Sequence, residues 1–148
     1  MEMTEEQHRH ELANALQTQQ NSVVAKLNVV FGRIPELSKT VCIDILVPQE
    51  VDGSFEVSIS VDGPDLYVLN KQIVDVANVF VVNRTSEGFV PFLPLVEEAD
   101  YDVYPVVCEC ALQWIQSLWN EVKHQHVQLP VVLSIADDFG EFSPVKLK

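Results

Sequence analysis

The sequence predicts an α+β domain: a mainly antiparallel sheet of about five strands packed against two amphipathic helices. Three observations carry this. Val103 to Lys123 places Val107, Cys108, Ala111, Leu112, Trp114, Ile115, Leu118, Trp119 and Val122 inside one helical arc of roughly 160°. Residues 40–62 alternate apolar and polar with period two on both sides of a turn. Strands joined by short turns, with helices only at long intervals, then disfavour a doubly wound α/β fold.

Taken in order, residues 4–31 read as the first helix. Thr4 with Gln7 forms a capping-box pattern. Leu12, Leu16, Val23, Leu27, Val30 and Phe31 recur at helical spacing, and Gly32 ends the run before Ile34-Pro35. Gln17 to Ser22 are all polar, and Gln20 falls within the apolar stripe, so a kink or a solvated turn is expected there.

Val41, Ile43, Ile45 and Val47 alternate with Cys42, Asp44 and Leu46, and Phe55, Val57, Ile59 and Val61 with Glu56, Ser58, Ser60 and Asp62. With Asp52-Gly53 between the arms this is an antiparallel hairpin with one wet face. Asp62-Gly63-Pro64-Asp65 turns the chain, and Leu66–Leu69 reads as a third strand. Residues 70–78 fit a helical turn and a strand equally. Val79–Val82 and Phe89–Phe92 read as a second hairpin around Thr85 to Gly88, with Pro91 and Pro94 confining the later arm to an edge or an extended loop. An acidic loop, Glu97 to Asp102, leads into the central helix, with Asp102 as its N-cap. Val131–Ile135 reads as a strand, paired with Phe142–Leu147 after the turn Asp137-Asp138-Phe139-Gly140.

The length, 148 residues, suits a single domain spanning 1–148. Hydrophobic content of 47% argues against disorder, although 22 acidic residues face only 9 basic ones, for a net charge of −13. The charge is uneven. Six acids and no base lie between Lys39 and Lys71, and seven acids and no base between Arg84 and Lys123. Such a surface repels nucleic acid and anionic membrane and attracts a basic protein partner; the plainer reading is that it only keeps the chain soluble. The charged start of the chain lacks a signal-peptide core, and no apolar run reaches the ~18 residues of a membrane span. Three cysteines do not suggest a disulfide scaffold, so a cytoplasmic, reducing setting is expected and the Asn83-Arg84-Thr85 sequon is read as accidental.

Chemistry-bearing patterns are sparse. Cys108 and Cys110 are about 200° apart on a helix, as are His8 and His10, so neither pair chelates; His124 and His126 lack further ligands. No nucleophile elbow, phosphate loop or zinc-helix motif occurs, so no cofactor, metal site or catalytic residue is assigned. Asp44 and Glu56 share the wet face of the first hairpin and form the candidate centre of a small-molecule site or enzyme, against the plainer reading of a solvated face. The most distinctive surface run is Phe89 to Asp102, closely followed by Tyr104, where apolar residues pass into carboxylates interleaved with Tyr101. Phe92, Leu95, Glu97, Glu98, Asp100, Tyr101, Asp102 and Tyr104 are therefore the candidate partner-binding residues; in the competing reading Phe89, Phe92 and Leu95 are core. The functional expectation is a non-enzymatic acidic binding module. In type alone, it resembles the small acidic α+β immunity proteins and secretion chaperones of bacteria. The surplus of apolar surface also favours a homodimer.

Overall fold

The computed structural model describes residues 3–138 and 140–148. Phe139, within the expected Asp137–Gly140 turn, and the first two residues of the chain's charged start lie outside the described residues.

Helix α1 spans Glu5–Phe31. Its capping box is complete: the Gln7 backbone N–H donates to Thr4 Oγ1 at 3.1 Å, and the Thr4 N–H donates to Gln7 Oε1 at 2.9 Å. No turn interrupts Gln17–Ser22, and α1 is helical throughout. The polar run is accommodated by its partners: the Thr18 hydroxyl donates to the Ala15 carbonyl at 2.7 Å, and the Gln20 amide reaches the Glu121 carboxylate.

Strands β1 (Thr40–Leu46) and β2 (Glu56–Asp62) pair antiparallel in the expected register, Ile43 opposite Ile59. Their inward residues, Val41, Ile43, Ile45, Val57, Ile59 and Val61, are all buried. Leu66–Leu69 is not a strand. Helix α2 (Leu66–Lys71) forms instead, with Asp65 Oδ1 accepting from Val68 N–H at 3.2 Å. The β2 edge that a third strand would have covered is taken by one side chain: Asn70 accepts from Val61 N–H at 2.9 Å and donates to Val61 C=O at 3.0 Å.

Asn78–Phe80 is the edge strand β3, paired with β2, and not an arm of the second hairpin. That hairpin is the separate ribbon β4 (Asn83–Thr85) and β5 (Gly88–Val90). Helix α3 spans Val103–Leu118 and tightens into a 3₁₀ turn at Trp119–Glu121, short of Lys123. Asp102 caps it, accepting from Tyr104 N–H at 3.3 Å. Strands β6 (Val131–Ile135) and β7 (Val145–Lys146) complete the sheet, in the order β3-β2-β1-β6-β7.

The sheet is mixed, not mainly antiparallel, because β1 and β6 run parallel. Helix α3 is the reason: it returns the chain along the sheet, so β6 enters alongside β1 in the same direction. The helices number three, α2 being the addition. Helices α1 and α3 also run parallel. Arg9 meets Glu109 near their starts and Asn28 meets the Lys123 backbone near their ends. They cover the inward face of the sheet, where Trp114 stands edge-on to Phe80 (5.1 Å between centroids) and Phe55 (6.1 Å). Both helices therefore begin at the end of the sheet where β1 and β6 finish.

Candidate functional site

That shared end collects carboxylates from segments far apart in the chain. The β1–β2 loop is locked onto the stretch after β5: the Val96 N–H donates to the Asp52 carbonyl at 2.9 Å. Gly53 permits the approach. Its φ is +99°, and a Cβ there would stand 2.4 Å from the Pro94 carbonyl oxygen. Pro48, Glu50, Val51, Asp52, Arg84, Val96 and Glu97 thereby line one cleft of about 450 Å³. Arg84, projecting from β4, donates to Glu97 at 2.7 Å and stands 4.0 Å from Asp52. Asp52 is held by the Ser54 hydroxyl (2.7 Å) and backbone N–H (3.1 Å).

Of the sequence-predicted residues, Glu97 lies in this cleft, and Glu98 and Asp100 are exposed on the segment that continues from it. Phe92 is 64% exposed, and Val81 and Val90 are exposed as well. The rest are engaged in holding the fold. Leu95 packs against the core. Asp102 is the α3 cap. The Tyr101 hydroxyl meets His8 Nδ1 at 3.1 Å, and Tyr104 stands edge-on to Phe142 at 6.0 Å. Burial pushes the Tyr104 hydroxyl up to about 12, with help from its hydrogen bond to Cys108. Sequence reasoning missed Glu50, Asp52 and Arg84 as members of the site. One signal was present: Arg84 is the single base between Lys71 and Lys123.

The other candidate centre is not assembled as expected. Asp44 opposes Ser58, and Glu56 opposes Leu46, so the two carboxylates do not face each other across the hairpin. Asp44 accepts from Ser60 (2.7 Å) and Ser134 (3.0 Å), while Glu56 accepts from the Val82 N–H at 3.1 Å. Cys42 beside them is held up by burial and then by Asp44, which keeps it a thiol and a poor nucleophile. Cys108 and Cys110 are buried and also raised, chiefly by burial. His8 is fully buried, with Nε2 lacking a partner among the described residues, and burial followed by Arg9 lowers its pKa.

A family model matches residues 3–148. The chain belongs to DUF6389, a family of unknown function. No curated protein and no solved structure matches it. Among the described residues, no group of three or more His, Cys, Asp or Glu is placed to hold a metal ion, and no helix is long and apolar enough to cross a membrane. What the cleft can do chemically is attract cations: Asp52 and Glu97 flank a guanidinium that remains about half exposed, and Glu50 lines the same cleft.

Proposed function

We propose that this DUF6389 chain is a non-enzymatic binding module, of immunity, inhibitor or chaperone type, that engages a basic protein through the cleft of Glu50, Asp52 and Glu97 and its flank of Glu98, Asp100 and Phe92. One observation carries the reading: Arg84 already sits between Glu97 and Asp52, so the cleft is formed to receive a guanidinium and keeps more carboxylate than its own arginine neutralises. Exposed apolar residues such as Phe92 supply contact area, while the charge supplies rate and orientation. Neither acid-only stretch is suited to nucleic acid. The free thiols fit a reducing, cytoplasmic setting, and the family match across nearly the whole chain fits a single domain.

The test is affinity capture from the native host at low salt, identification of the retained protein, and titration of the purified pair. A basic partner is expected, with binding that weakens steeply as salt rises from about 50 to 200 mM. Converting Glu50, Asp52, Glu97 and Glu98 together to amides should cut the association rate at least about tenfold. A retained partner whose affinity ignores both changes overturns the reading. The rival, a small-molecule site on the open sheet face, has in its favour the Asp44 carboxylate fixed by two serine hydroxyls. It is the weaker reading because Glu56 is turned away to Val82 and, among the described residues, Cys42 beside Asp44 is held as a thiol.

A further inference from the structure

At the opposite end of the sheet α2 presents an apolar surface that none of the described residues covers. Four of its six residues are apolar, yet only Leu69 is buried. Leu66, Tyr67 and Val68, with Val74 just beyond the helix and Leu37 on the adjoining turn, are between 49% and 74% exposed. The turn and the helix abut through Gly63, where a Cβ would lie 2.9 Å from the Leu37 carbonyl oxygen and 2.5 Å from a Leu69 methyl group. Clustered exposure of this kind marks an interaction surface, whereas single exposed residues need no explanation.

The charge around the patch identifies its occupant. Segments 33–39 and 62–75 together carry three bases (Arg33, Lys39, Lys71) and four acids (Glu36, Asp62, Asp65, Asp75), nearly neutral in a chain of net charge −13. Two copies of so acidic a chain repel over most of their surface and approach most easily here. The helix is also self-complementary. Asp65 and Lys71 each lie three residues from Val68. A two-fold axis at Val68 packs α2 antiparallel against its copy, with Asp65 of each chain beside Lys71 of the other, ~9 Å along the helix from its own Lys71. Asp65 Oδ1 serves the N-cap, and Oδ2 has no hydrogen-bond partner among the described residues; the Lys71 ammonium lies 5.8 Å over the Tyr67 ring. We infer that the chain forms an isologous dimer through α2, with Tyr67 and Val68 at its centre and reciprocal Asp65–Lys71 pairs at its edges.

Sedimentation velocity of the full chain tests this. Five exposed apolar side chains make a small contact, so a weak dimer that dissociates in the tens of micromolar, about −6 to −7 kcal/mol, is expected. Tyr67→Glu should weaken it at least about tenfold while circular dichroism and the thermal midpoint stay unchanged. Asp65→Asn keeps a capping side chain and, like Lys71→Gln, should weaken the dimer several-fold. Because these two residues pair with each other, the double variant should lose little more than either single one. A wild-type chain that stays monomeric at several hundred micromolar overturns the inference. So does a dimer indifferent to Tyr67→Glu, and so do Asp65 and Lys71 losses that simply multiply.

Discussion

Trp114 offers the sharpest check on how the two layers are held together. Its side chain is 6% exposed, and it stands edge-on to Phe80 at 5.1 Å and 72° and to Phe55 at 6.1 Å and 76°. Truncation to alanine removes the buried ring, worth about 3–5 kcal/mol for a residue of this size, and both edge contacts, each worth about 0.5–1.5 kcal/mol within such totals. Alanine's better helix propensity returns only about 0.5 kcal/mol. The expected cost therefore lies in the upper half of that range. Phenylalanine at the same position separates packing from polarity. The Trp114 Nε1–H has no partner among the described residues, so Trp114→Phe removes an unsatisfied buried donor, a relief of about 1–3 kcal/mol set against the smaller ring. Its net cost should stay below about 1.5 kcal/mol. Guanidinium denaturation followed by circular dichroism reads both. A Trp114→Ala loss under about 1 kcal/mol, or a Phe variant as unstable as the Ala variant, refutes the packing argument.

The remaining expectations can be checked on the same purified chain. Gly53→Ala should cost more than the ~1–2 kcal/mol of a left-handed alanine, because its Cβ must also displace the Pro94–Val96 segment; a loss under about 0.5 kcal/mol in a denaturant melt contradicts the locked loop. His8 is held below its ordinary value, so the unfolded chain takes up the proton first. Stability should be level above about pH 7 and fall as pH drops through about 6.5, with a shallower fall in His8→Gln; a rise on acidification contradicts the burial. A chelator should leave the thermal midpoint unchanged, and a drop of several degrees would point to a structural metal. Glu50→Gln should hold or raise the midpoint while weakening capture of a basic partner, and a clear loss of stability would make Glu50 a structural residue.

What could be read from the sequence was what neighbours along the chain decide. The Thr4–Gln7 box, the Asp102 cap, the Val41–Val61 hairpin and the apolar arc of α3 depend on spacings of a few residues, and all four stand in the fold. The misreadings share a cause in distant partners. Gln17–Ser22 looked like a break because Glu121, which receives Gln20, lies across the helix pair. Leu66–Leu69 has the composition of a strand, but Asn70 closes the β2 edge in its place. Nothing local reveals that β6 lies parallel to β1. The site followed the same rule: Glu97 and Phe92 lay in one conspicuous run, whereas Asp52 and Arg84 joined them only through the Gly53–Pro94 approach.

Acid at this end of the molecule has two separable origins. Carboxylates at helix starts are favourable on their own account, by about 0.3–1 kcal/mol each, because they offset the positive end of the macrodipole. That accounts for Glu5 and Glu6 in the first turn of α1 and for Asp102 at the head of α3. It does not account for Glu50, Asp52 and Glu97, which belong to loops and line one cleft, the latter two around a β-ribbon arginine instead of at a helix terminus. Asp52 and Glu97 already hold Arg84, so Glu50, which lines the same cleft, adds like charge that the arginine does not need. Surplus like charge gathered by a glycine-dependent contact is a cost to the fold. It becomes useful when a second cation arrives to share the cleft, and that is the strongest structural reason for looking for a basic partner there.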